Sequence, residues 1–160
     1  MTNSQTKPSR NRSLDKAASL APAARRRVGE GLRTLLADVL TLYLKTKKFH
    51  WHMTGTHFRD YHLLAMSDVI AERTRKLGER TIRSVGEIAR LKRLPDNDSE
   101  AIAPTEMLKT LMDDNDRLSS FMRDANLSYD QDGDLNIASL LENWVDETER
   151  RSWFLSATLR

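Results

Sequence analysis

All four histidines of the 160-residue chain lie in one short stretch, FHWHMTGTHFRDYH: His50, His52, His57 and His62. Imidazole is the commonest metal ligand and titrates closest to neutral pH, so this stretch is where chemistry is expected first. The spacing does not make the four a single chelate. His50 and His52 would grip an ion together from a strand, but on a helix they lie about 200° apart. His57 and His62, five apart, share no helical face either. No H-E-x-x-H segment occurs, which excludes a zinc-protease helix. No E-x-x-H occurs anywhere, so a di-iron site buried inside a single four-helix bundle cannot be assembled.

His50 and His62 remain, one on each side of a tight turn, with Asp68 and Glu72 farther along and four apart on one helical face. Imidazole nitrogen plus carboxylate oxygen, with coordination positions left open, suits Fe(II) better than structural zinc. Without a metal, the same residues are a buried, hydrogen-bonded histidine and surface ion-pair partners. Spacing leaves both readings open.

The elements that must carry these residues are helical. Val28, Leu32, Leu35, Val39, Tyr43 and Thr46 recur at three- and four-residue intervals and His50 continues the stripe, which predicts a buried His50 and a solvent-facing His52. The TGT at 54–56 turns the chain. A second helix is predicted from about Phe58 to Leu77, closed by Gly78. A long connection follows, holding a helix-like piece, IRSVGEIARLKRL, and a polar loop, PDNDSEAIAP. A third helix starts near Thr105, with Leu108, Leu111, Met112, Leu118 and Met122 inward, and SYDQDGD breaks it. A fourth carries Ile137, Leu141, Trp144, Val145 and Phe154. No strand pattern competes. Short links make helices one and two, and three and four, antiparallel; the long link lets two and three run parallel. The expected fold is all-α: a ferritin-like four-helix bundle over residues 21–160, with one long crossover containing a short helix.

Composition narrows the chemistry further. There is no cysteine, which excludes disulfides, thiolate metal sites and cysteine nucleophiles. The polar, basic N-terminus is no secretory signal, and the longest apolar run, LLADVLTLYL, falls well short of the roughly 20 residues of a membrane span. A soluble, cytoplasmic protein without a membrane partner is expected. Charge is uneven: Lys7, Arg10, Arg12, Lys16, Arg25, Arg26 and Arg27 face one acid, Asp15, while the whole chain is +3. Residues 1–20 are expected to be a disordered basic tail, either an arm for a polyanion such as DNA or a solvated leader.

The segments KFHWHMTGTHFRDYHLL and DVIAERTRKLG, then IRSVGEIARLKRL and ASLLENWVDETERRSWFL, closely resemble the Dps proteins, mini-ferritins that protect DNA during starvation. The resemblance spans nearly everything from residue 28 onward and implies twelve four-helix subunits in a hollow shell. It further implies oxidation of Fe(II), preferably by hydrogen peroxide, storage of the ferric mineral, and in many members DNA binding through basic tails. It places the ferroxidase centre between two subunits, with His50 and His62 from one, Asp68 and Glu72 from its twofold partner, and Trp51 beside it. Asp130, Asp132 and Asp134 fall where the family has an acidic iron-entry pore, although a turn rich in capping residues accounts for them equally.

One departure bears on activity. The family has about nine more residues between the equivalents of His62 and Asp68, and they carry an aspartate ligand one turn beyond the histidine. This chain has only LLAMS there, with Met66 at that spacing. Nine helical residues amount to about 13 Å and a net half turn, so a straight helix would turn Asp68 and Glu72 to the face opposite the family's.

Overall fold

A computed structural model describes residues 20–52, 63–130 and 135–159. Among these the chain forms five helices and no strand: α1 (Pro22–His52), α2 (Leu63–Lys76), α3 (Val85–Leu91), α4 (Pro104–Asp130) and α5 (Leu135–Thr158). The four long helices make the expected all-α, ferritin-like bundle, and α3 is the short helix of the crossover.

The long helices bury seams that repeat at intervals of three and four. In α1 the seam runs Val28, Leu32, Leu35, Val39, Leu42, Thr46, Phe49, and in α2 Leu63, Met66, Ile70, Thr74. In α5 it runs Ile137, Leu141, Trp144, Thr148, Arg151, Leu155. A 3.5-residue repeat keeps one face toward its neighbours over the whole length of nearly aligned helices. This phase corrects the predicted stripes. Leu42 and Phe49 are fully buried, while Tyr43 is half-buried and His50 is exposed. In α5, Leu155 points inward and Phe154 outward. The third helix also continues through Ser128 and Tyr129 to Asp130, because Tyr129 packs into the core instead of ending the helix.

Residue pairs fix the directions. Across α1 and α4, Lys45 pairs with Asp114, and a Cβ at Gly31 would collide with the Tyr129 hydroxyl, so these helices are antiparallel. Across α4 and α5, the Arg151 Nε donates to Asn115 Oδ1 at 2.9 Å and the Ser119 hydroxyl to Glu149 at 3.1 Å, again antiparallel. A Cβ on Gly29 would lie 2.6 Å from Glu79 Cγ, so the start of α1 abuts the end of α2. With α1 antiparallel to both, α2 and α4 run parallel, as the long crossover allows. Gly78 closes α2 at φ 81, where its own N–H donates to Arg75 O (2.9 Å) and that of Glu79 to Thr74 O (3.2 Å). This is the C-terminal motif for which glycine is favoured.

The crossover is tied to one row of α1. Asp38, fully buried, accepts from Arg93 N (2.5 Å), Leu94 N (3.1 Å) and Arg93 Nε (2.8 Å). The Arg93 guanidinium also stacks 3.8 Å from the Phe121 ring centroid. Lys45 donates to Pro95 O at 2.7 Å, and Lys48 to Asn97 O and to Ser99 O at 3.1 Å. Buried carboxylates and ammonium groups are tolerable here because each has partners on every side. Burial raises the Asp114 carboxyl above its ordinary value despite the adjacent Lys45, so ionising it as pH rises through that window subtracts stability.

Short α3 begins on a cap. The Ser84 hydroxyl accepts from Glu87 N at 3.2 Å, and Glu87 Oε2 accepts from Arg83 N at 3.1 Å. Arg33 of α1 bonds the same carboxylate, which with Arg83 holds Glu87 below the usual carboxylate range. A depressed acid stabilises the fold above its unfolded value and ceases to do so as pH falls through the folded one. Glu87→Gln should therefore remove part of the acid-side decline in thermal midpoint between about pH 5 and pH 3. Midpoints that fall in parallel for both proteins over that range would show that this pair contributes nothing there.

Candidate metal-ligand residues

The described candidate ligands, His50, Asp68 and Glu72, lie on the outside of the bundle. His50 and Trp51 occupy the last turn of α1, where Phe49 turns inward and leaves its neighbours in solvent; Trp51 is 71% exposed. His52 is exposed as expected, and its Nδ1–H donates to Lys48 O at 2.6 Å, back along its own helix. Asp68 and Glu72 are both exposed, on the face of α2 directly away from its seam at Met66, Ile70 and Thr74. Four apart, they share that face, and Glu72 meets Lys76 at 3.4 Å. Such an exposed pair holds the carboxylate only weakly. Met66, at the spacing where the family has another aspartate, is buried among apolar side chains.

His57 and His62 lie outside the described residues, as do Asp132 and Asp134, and Asp130 is described only as the last residue of α4. Among the described residues, no three His, Cys, Asp or Glu side chains stand close enough to hold one ion. His50 and the Asp68/Glu72 pair are thus not brought together within one chain. Arg25, Arg26 and Arg27 sit at the start of α1, whereas Lys7, Arg10, Arg12 and Lys16 precede the described residues.

Sequence reasoning missed the outer apolar surface beside these ligands. Leu44, two helical turns before Trp51, is 55% exposed, and Val85 at the start of α3 is 77% exposed. With Ile88 and Ala89 they wall a groove of about 430 Å³ between α1 and α3, whose polar end is Lys48, Lys92 and Asp96. The signal was present in the spacing: Leu44 and Trp51 are seven apart, a second apolar row beside the core seam. No helix of the described residues is long and apolar enough to cross a membrane.

Residues 29–160 match the ferritin family, described as a ferritin-like domain. An uncharacterized low temperature-induced protein of Nostoc is 33% identical over 130 residues, covering 75% of this chain and 73% of the relative. The DNA protection during starvation protein of Helicobacter pylori is 24% identical over 139 residues, covering 81% and 96% respectively. Among solved structures, DpsC from Streptomyces coelicolor superposes with a TM-score of 0.83 at 24% identity, covering 88% of each chain. The Vibrio cholerae Dps structure reaches 0.80 at 23%, over 88% of this chain and 94% of that one. The matches also measure the gap. Against the Helicobacter protein, 139 aligned positions use 81% of 160 residues, about 130, which leaves about nine positions without a counterpart here. The 140-residue match to antigen TpF1 of Treponema pallidum, using 82% of this chain, falls short by the same amount. That number is the one the resemblance leads one to expect between His62 and Asp68.

Proposed function

Because the chain belongs to the ferritin-like family and within it to the Dps proteins, we propose that it oxidises Fe(II), stores the ferric product in a shell of many copies, and shields DNA. The observation that carries this reading is the placement of His50, Trp51, Asp68 and Glu72 on outer faces of the bundle. Ligands turned outward are what a centre shared between two copies requires, with imidazoles from one and carboxylates from the other. Iron is the substrate and hydrogen peroxide the oxidant. Two bound Fe(II) ions each give up one electron, the O–O bond breaks, and two protons complete two waters, so no hydroxyl radical is released. Carboxylates favour the ferric product, being hard anionic donors. His50 and His62 would bind on one side, Asp68 and Glu72 on the other. Asp130, Asp132 and Asp134 would draw cations inward, and the basic tail, with Lys7, Arg10, Arg12, Lys16 and Arg25–Arg27, would hold the shell on DNA in the cytoplasm.

A second reading, a DNA-binding shell with weak or lost ferroxidation, has its own support. About nine positions of the relatives have no counterpart in this chain, and Met66, at the spacing of a family carboxylate, lies in the core. Mixing anaerobic Fe(II) and peroxide with purified protein separates the two. The first reading expects a ferric absorbance rise several times faster than buffer. A trace superimposable on buffer would leave only the second.

A further inference from the structure

The fold gathers basic residues from separate parts of the chain at one end of the bundle. α1 begins with Arg25, Arg26 and Arg27 and has no acid in its first turn. Cations at a helix N-terminus oppose the macrodipole, so this placement costs the isolated helix a few tenths of a kcal/mol or more. It is offset when an anion is bound there. One turn on, Gly29 lies against Glu79, and Arg33 bonds Glu87, the carboxylate that Arg83 also approaches. Arg25, Gly29 and Arg33, at successive four-residue steps, share the α1 face on which residues 79–87 pack. The end of α2 and the link beyond it therefore stand beside the start of α1, and they bring Arg75, Lys76, Arg80 and Arg83, all exposed.

On this face the basic residues outnumber the acids, which include the exposed Glu30 beside Gly29. Residues 72–83 hold five cations (Arg73, Arg75, Lys76, Arg80, Arg83) against Glu72 and Glu79. Glu79 is half-buried against Gly29, and Glu87 is buried beneath Arg33 and Arg83. Glu72 meets Lys76 only in an exposed pair, which a phosphate can replace. Arg75 is oriented by its own bond to Glu79 O, at 2.9 Å. Tyr129, at the end of α4, meets α1 on another side. Gly31, which abuts Tyr129, is two residues from Gly29 and so about 200° around α1.

We infer that Arg75, Lys76, Arg80 and Arg83, together with the start of α1, form a surface on the folded body for the phosphate backbone of duplex DNA. The inference rests on the DNA-protecting part of the proposed function and adds that the folded body, not the tail alone, carries the contacts. Two full-length variants of equal charge loss test it. One is Arg75→Gln, Lys76→Gln, Arg80→Gln, Arg83→Gln; the other is Lys7→Gln, Arg10→Gln, Arg12→Gln, Lys16→Gln. Affinity for a 30-base-pair duplex is measured from about 50 to 200 mM salt.

Each lost phosphate contact flattens the log–log salt slope by about 0.9, so the first variant, losing four, should lose about 3.6 in slope and at least about tenfold in affinity near 100 mM salt. A control replacing Arg75, Arg80 and Arg83 by Lys keeps the charges and should keep the wild-type slope. A first variant with the wild-type slope, beside a tail variant that loses it, overturns the body surface while DNA binding stands. A Lys control as weak as the Gln variant also overturns it, since the effect would then be structural. Wild-type protein that fails to retard DNA removes the surface and the DNA-protecting reading together.

Discussion

His50→Ala and Glu72→Ala should each lower the initial rate of peroxide-driven Fe(II) oxidation at least about tenfold, yet the two variants made together in one cell should recover about a quarter of it. The reasoning is symmetry. In an isologous pair of copies, each of two equivalent sites takes histidines from one copy and carboxylates from the other. A pair of unlike variants has one site lacking both groups and one site intact. Random pairing makes half of the pairs unlike, hence a quarter of all sites complete. The exposure of His50 at the end of α1 and of Glu72 on the back of α2 is what makes the experiment decisive. If the ligands came from a single copy, the mixture would be no faster than either variant. Variants that alone match the wild type would show that these residues do not bind the reacting iron.

Asp38→Ala should lower stability by about 3–5 kcal/mol, because it strips the partners from buried polar groups without removing them. Arg93 would keep its charge under the Phe121 ring, and the N–H groups of Arg93 and Leu94 would lose their acceptor. For a chain of this length that corresponds to a thermal midpoint lower by about 10 °C, followed by far-ultraviolet circular dichroism. Asp38→Asn, which keeps the shape and one acceptor, should fall between. A midpoint within about 2 °C of wild type would mean that the crossover is held by its other ties, Lys45 to Pro95 and Lys48 to Asn97 and Ser99. The consequence for function is positional: residues 93–99 set where α3 lies, and α3 supplies Val85 and Ile88 to the outer groove beside the ligand-bearing end of α1.

The helices themselves, their order and their directions were legible in the residues. Three-and-four spacing is a local property, and the short turn signals TGT and SYDQDGD, against a long connection after Gly78, leave little freedom in topology. The exposed, four-apart pair of Asp68 and Glu72 and the outward His52 were legible for the same reason. The phase of each seam was not. Tyr43 and His50 continue a run of suitable spacings as well as Leu42 and Phe49 do, and one residue is 100° on a helix. Which of two adjacent residues turns inward depends on where α2 and α4 press against α1, and nothing in the local spacing encodes that.

By itself, then, the sequence determined an all-α bundle with one crossover, a basic beginning, a cysteine-free set of nitrogen and oxygen candidate ligands, and a chain about nine positions shorter than its relatives over the matched stretch. Those properties depend on residue type and on neighbours within a turn or two. Only the tertiary structure decided that His50 faces outward, that Met66 lies in the core, that Asp38 and Lys45 clamp a segment about fifty residues away, and that Glu79 packs on Gly29 near the start of α1. Each of these is a pairing across the bundle. Its partner is chosen by the packing of helices and the path of the crossover, and the distance along the chain carries no record of it.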